Sequence, residues 1–184
     1  MSSTKCGNSP VFTIRKTSLP EQLNSCHQIL TTVFHQELNL LGMQIPDGYD
    51  PCSVYMQITD LETIVGTYRI VLPNASVGLP IEEVGFDLSQ FASEQIYPHQ
   101  ICEMSRLALL KEKRGKIPFS KIVYSACHIT AQNNASILIA AILPRNVPLF
   151  QRHGFSRIGQ PLLDPSIHSA AAEESVIVPM QIRV

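Results

Sequence analysis

The run from Ala135 to Leu143, ASILIAAIL, is apolar at nearly every position. A strand sends alternate side chains to opposite faces, so one with water on one side alternates polar and apolar residues. This run does not alternate, and it is too short to cross a membrane. It therefore belongs inside a sheet covered on both faces. Phe119, Ile122, Val123, Ala126 and Thr130 precede it at helical spacing, which predicts a helix from about Pro118 to Asn133. Before that helix, ICEMSRLALL (residues 101–110) reads as a second buried strand. Strand, helix and strand in this order require a parallel crossover.

The 101–110 strand poses a problem. It carries Glu103 and Arg106 among apolar neighbours, and ionised groups are rarely buried unless paired. Strict alternation would also put the two on opposite faces. The bland reading is an ion pair stapling the strand to a loop.

The first half of the chain is organised differently. PVFTIRKTS alternates as a strand, and Leu19-Pro20-Glu21 opens a helix with Ser18 as candidate cap. Leu23, Cys26, Ile29, Leu30, Val33, Phe34 and Leu38 form that helix's apolar stripe. SVYMQITD and TIVGTYRIVLP flank a short turn at residues 60–62, a hairpin signal. Residues 73–99 give no regular pattern. Towards the end, PRNVPLFQRHGF predicts a short helix stopped at Gly154, and the closing SVIVPMQIRV a strand with Pro179 at an edge or bulge. The sum is one α/β domain over residues 1–184, with a mixed sheet and helices on both faces.

Composition excludes several functions. With 45% hydrophobic and 16% charged residues over 184 positions, the chain is globular rather than disordered. It lacks an N-terminal apolar segment and any run of spanning length, so the expected setting is the cytoplasm without an integral membrane segment. Five scattered cysteines with no CxxC, and six histidines without metal spacing, indicate neither a disulfide framework nor a metal site. Charge is lopsided: residues 1–105 hold four Lys/Arg and eleven Asp/Glu, residues 106–184 ten and four. Lys111, Lys113, Arg114, Lys116 and Lys121 cluster after the 101–110 strand. That cluster is either a solvated loop or a seat for phosphate or an acidic partner. Sparse aromatics nearby and a pI of about 6.6 argue against nucleic acid.

The order of elements and the LFQRHGF junction resemble the GNAT acyltransferase fold. VF (33–34), DGYD (47–50), VGTYRI (65–70), CEMSRLAL (102–109) and FSKIVYSACHITAQNN resemble blocks of a narrower branch. This is the branch of autoinducer (acyl-homoserine-lactone) synthases and long-chain N-acyl amino acid synthases. The resemblance implies a mostly antiparallel sheet splayed between its fourth and fifth strands, with a cleft between residues 104–109 and 135–141. It also implies a β-bulge in the fourth strand, expected between Met104 and Leu107, which inserts one residue and would turn Glu103 and Arg106 to one side at the rim of that solvated cleft. It implies transfer of an acyl group, in this branch a fatty one, from a thioester to an amine, with no bound cofactor. Glu103 would then take a proton from the attacking amine, with Arg106 beside it, and the backbone near Leu107 would stabilise the oxyanion. Arg69, Asp47 and Asp50 align with acceptor-binding positions, and Phe34 and Phe86 with the acyl site.

The sequence also departs from the branch. Leu30 stands where an autoinducer synthase carries arginine, and there is no tryptophan. Both weigh against homoserine-lactone formation. Phe150 replaces the tyrosine that acetyl-CoA-dependent GNAT enzymes use as thiol acid, and KEKRGK lacks their RxxGxG/A pyrophosphate loop. Acyl carrier protein, with one phosphodiester on an acidic helix, suits Lys111, Lys113, Arg114 and Lys116 better than acyl-CoA does. The expectation is an N-acyltransferase acting from acyl carrier protein on an amino acid or a related small amine. The alternatives are an acetyl-CoA-dependent acetyltransferase and a silent module that binds acylated carrier protein.

Overall fold

The computed structural model describes residues 12–167 and 175–184. Cys6, His168 and the start of the first strand at Pro10 and Val11 lie outside the described residues. Strands β1 (Phe12–Lys16), β2 (Ser53–Asp60), β3 (Thr63–Val71), β4 (Ile101–Leu109), β5 (Ile137–Ile142), β6 (Ser156–Arg157), β7 (Leu162–Leu163) and β8 (Val176–Arg183) form the sheet. The helices are α1 (Pro20–Leu30), α2 (Pro80–Glu83), α3 (Phe119–Gln132) and α4 (Val147–Gln151). Strand order is β1-β2-β3-β4-β5-β8-β6, with β7 added alongside β8. Every pair is antiparallel except β4 with β5, where α3 makes the crossover.

Both faces of the sheet are covered, as the unalternating β5 demands. Tyr68, Ile70, Cys102, Met104, Leu138 and Ala140 pack beneath α3 and α4. Val71, Ile101, Ile137 and Ile139 pack against α1 and α2 on the other face. Ser18 does not cap α1. Its N–H and that of Leu19 instead donate to the Gln22 side-chain oxygen, 2.8 and 3.2 Å away. The apolar stripe continues past Leu30 in wider π-helical geometry over Thr31–Glu37, which carries Val33 and Phe34. Such turns recur at functional sites. The 73–99 stretch contains α2 and two 3-10 turns, Leu88–Glu94 and Pro98–Gln100.

Pro179 is an interior residue of β8, opposite Ala141. Its carbonyl accepts the Ile158 N–H, so its missing donor faces the outer side. There β6 pairs only residues 180–181 and β7 only 176–177, so proline removes no bond to β5.

The bulge in β4 determines everything around it. Thr67 pairs Ala108 and Arg69 pairs Ser105, so two steps along β3 oppose three along β4. Arg106, at φ +57°, is in the left-handed region that non-glycine residues seldom adopt. Side-chain parity changes at this point. Before the bulge, Ile101 and Glu103 face α1 while Cys102 and Met104 face α3; beyond it, Ala108 faces α1 while Leu107 and Leu109 face α3. Pairing of β4 with β5 extends only through Glu103 and Ile139. The strands part from Met104 and Ala140 onward, so residues 137–139 are sheet and not cleft wall. The cleft is shorter than the expected 104–109 against 135–141.

Candidate active site

Two cavities meet at the splay. One, of about 300 Å³, lies on the α1 side and is lined by Asp47, Tyr49, Arg69, Glu83, Glu103 and Asp164. The other, of about 360 Å³, lies between the separated strands and is lined by Phe34, Leu107, Leu109, Leu143 and Phe150. Met43, Met104, Ser105, Arg106, Ala141 and Ile167 line both. The bulge therefore divides a chamber rich in carboxylates and guanidiniums, the polar chamber, from one lined mainly by aliphatic and aromatic side chains with Arg114, Arg145 and Asn146 among them, the apolar chamber.

Glu103 belongs to the polar chamber, but not at a solvated rim: it is 2% exposed. One carboxylate oxygen accepts the Ile81 N–H at 2.8 Å, a donor left free in the first turn of α2. The other accepts no hydrogen bond from a described residue. Burial pushes this carboxyl up to about 8, against the opposing pull of the Ile81 N–H and the Arg69 charge.

Beside it lies a network of four charges. Arg69, 1% exposed, donates from Nη1 to Asp47 Oδ1 (2.5 Å) and Asp50 Oδ1 (2.7 Å), and from Nη2 to Asp47 Oδ2 (2.8 Å). Its Nε donates to Ser105 Oγ at 2.9 Å. Arg106 Nη2 donates to Asp47 Oδ2 at 2.8 Å. The Tyr55 hydroxyl donates to Asp50 Oδ1 at 2.8 Å, and His27 Nε2 lies 3.0 Å from Asp50 Oδ2. DGYD is thus a turn whose two acids close on β3 and β4, and the Tyr49 N–H fixes Asp47 at 2.9 Å. Burial pushes Asp47 up, but the hydrogen bonds and charge of Arg69 and the charge of Arg106 outweigh it and hold Asp47 below the usual carboxylate range. Two carboxylates balance two guanidiniums, which is what lets so much charge be buried. Three buried polar atoms at the network's edge make no hydrogen bond among the described residues: Arg106 Nη1, and His27 Nε2 and Asp50 Oδ2, which face each other.

The remaining sequence candidates divide between the chambers and the surface. Phe34 and Leu107 line the apolar chamber. Phe86 lines neither; it is core, its ring against Gly159. Arg114 reaches the apolar chamber's wall, yet it ion-pairs with Glu37 and donates to the Leu109 carbonyl at 2.9 Å. Lys113 binds Asp60 at 2.7 Å, whereas Lys111 and Lys116 form no salt bridge among the described residues. Phe150, at the position of the missing tyrosine, stacks edge-on between Phe119 and Phe155.

Sequence reasoning passed over Tyr49, Glu83, Asp164 and Arg145, which line the chambers. Three of the four sit in loops or at short-helix ends, where no periodicity marks them. Ser105 accepts from Arg69 Nε and so helps to orient that guanidinium. Among the described residues, no group of three or more His, Cys, Asp or Glu could hold a metal ion, and no helix is long and apolar enough to cross a membrane.

The family model for the N-acyl amino acid synthase FeeM matches residues 42–173. No curated protein sequence matches significantly. Among solved structures, FeeM from uncultured soil microbes superposes with a TM-score of 0.71 at 16% identity, over 95% of this chain and 92% of that one. The acyl-homoserine-lactone synthase LasI gives 0.61 at 20% identity, over 96% and 91%. A putative N-acetyltransferase from Lactobacillus plantarum gives 0.64 at 14% identity, over 94% and 97%. At such identities the structural likeness establishes the fold, which is that of the GNAT acyltransferases.

Proposed function

The chain belongs to the N-acyl amino acid synthase FeeM family and is an acyltransferase, and we propose that it moves a fatty acyl group from acyl carrier protein to the α-amine of an amino acid. The observation that carries this reading is the bulge-split pair of chambers, one apolar and one polar, with the buried carboxylate of Glu103 beside their shared wall. The acyl chain lies against Phe34, Leu107 and Phe150, and the acceptor lies against Glu103 and the Arg69 network. The pantetheine phosphate and the carrier's acidic helix sit at the mouth of the apolar chamber, where Arg114 lies, with Lys111, Lys113 and Lys116 on the adjoining turn.

The acceptor enters as an ammonium ion and gives one proton to ionised Glu103, directly or through water. The resulting amine forms the new C–N bond at the thioester carbonyl. Beyond Glu103 the β4 edge has no strand partner among the described residues, so backbone N–H groups near Leu107 can receive the developing oxyanion. Collapse breaks the C–S bond, and the nitrogen's second surplus proton leaves with the thiolate as thiol. Glu103 then returns its proton to solvent. Four described cysteines, all free thiols, suit a reducing compartment such as the cytoplasm.

The test is a set of thioester donors offered with mixed amino acids, followed by mass spectrometry. Fatty acyl carrier protein should yield N-acyl amino acids faster than acyl-CoA or acetyl-CoA. Faster transfer from acetyl-CoA would assign the protein to the acetyltransferases instead.

A further inference from the structure

The polar chamber carries more negative charge than its own chemistry uses. Asp47 and Asp50 neutralise Arg69 and Arg106 through direct ion pairs. That leaves Glu83 and Asp164, which also line the chamber and form no salt bridge among the described residues. Asp164 Oδ1 accepts from the Ser166 N–H (2.9 Å) and hydroxyl (2.6 Å), so the carboxylate is held in place, and among the described residues no cation pairs with it. Glu83 is exposed and lies at the chamber's edge beside Tyr49, whose hydroxyl is pushed up by burial first and then by this carboxylate.

Acidic residues on a surface would signify little. Here they border a built cavity with two further groups that point to a ligand. Arg106 Nη1 is a buried donor without a partner. Glu103 is 2% exposed, and its second oxygen accepts no hydrogen bond from a described residue. An unpaired guanidinium N–H fits a carboxylate, an unpaired carboxylate oxygen fits an ammonium, and the outlying acids fit a second cation.

From this arrangement we infer that the acceptor is an α-amino acid with a cationic side chain. Its α-carboxylate meets Arg106 Nη1, its α-amine meets Glu103, and its side-chain cation meets Asp164 and Glu83. The inference rests on the N-acyltransferase reading and adds the acceptor class. Transfer is to the α-nitrogen: the amide C–N bond forms there, the thioester C–S bond breaks, and the side-chain cation stays charged throughout.

Matched acceptors test this with lauroyl carrier protein as donor. Arginine and citrulline are near-isosteric and have one reactive amine each; lysine and norleucine form a second pair. Two partly exposed ion pairs should raise kcat/KM about tenfold for arginine over citrulline, with Nα-lauroyl arginine as product. Asp164→Asn with Glu83→Gln should reduce that preference to about twofold or less. Each single substitution should narrow it part of the way, so a poorly folding double variant still leaves the question decidable. Equal rates for arginine and citrulline, or an unchanged ratio in the variants, overturns the inference and leaves the acyltransferase reading standing. Absence of transfer to every amine overturns that reading, and the acceptor class with it.

Discussion

Glu103 stays protonated until about pH 8 because it is buried and only one N–H and the Arg69 charge oppose that burial. At pH 7 about one molecule in ten has this group ionised, so kcat/KM should rise about tenfold per pH unit below 8 and level off above it. Glu103→Gln keeps size and polarity but removes the base; it should lower transfer about 10²–10⁴-fold and flatten the profile. Stability should move in the opposite sense. A carboxyl raised from its ordinary value of about 4.3 to about 8 binds its proton more tightly when folded. Its stabilising contribution is complete below about pH 4 and disappears as pH climbs through 8. Melting temperatures from pH 5 to 9 should therefore fall in the wild type and fall less in the variant. At this scale the sequence signalled the acid and base of 101–110, because charges are conspicuous in an apolar strand. Asp164 and Glu83 gave no such signal; their meaning arises from loops brought together across the sheet.

At the scale of elements, periodicity alone located β5, α3 and the β2–β3 hairpin. The resemblance puts the bulge between Met104 and Leu107, and the break of register falls there, at Arg106; periodicity by itself carries no sign of it, since inserting one residue leaves composition unchanged. Nor could it show where β4 and β5 part. The bulge depends on close approach of β3. An added Cβ at Gly66 would collide with Leu109 Cδ2 and lie 2.9 Å from the Ala108 carbonyl. Gly66→Ala should thus destabilise the fold by about 1–3 kcal/mol, and by displacing the β4 segment after the bulge it should raise KM for the acyl donor. Chemical denaturation and donor kinetics check both outcomes. The irregular 73–99 stretch was illegible because its ordered pieces, of four, seven and three residues, are too short to show a period. One of them, α2, nonetheless supplies the only hydrogen-bond donor to Glu103 among the described residues.

Across the whole molecule, the basic residues of the second half are spread. Arg106, Arg114 and Arg145 line the chambers, whereas Arg183 pairs with Glu94 and Lys121 lies on α3. Part of the charge near the cleft is already engaged. Lys113 and Arg114 serve Asp60 and Glu37, so reversing them would disturb the fold as well as docking. Lys111→Glu with Lys116→Glu is the cleaner change. It should weaken transfer from acyl carrier protein more than transfer from acyl-pantetheine, chiefly through slower association. Salt should shrink the difference, because exposed charges are screened beyond about 8 Å at physiological ionic strength. Equal losses with both donors, measured at low and high salt, would remove the carrier-docking role from this loop. The shared wall at Met104, Ser105 and Arg106 has a kinetic consequence. The hydroxyl on that wall, Ser105, is tied to Arg69, and direct transfer from thioester to amine needs both substrates present together. The finished amide then keeps its tail in one room and its head in the other. Such a molecule blocks both doors at once, so accumulated product should compete against donor and acceptor alike and restrain its own synthesis.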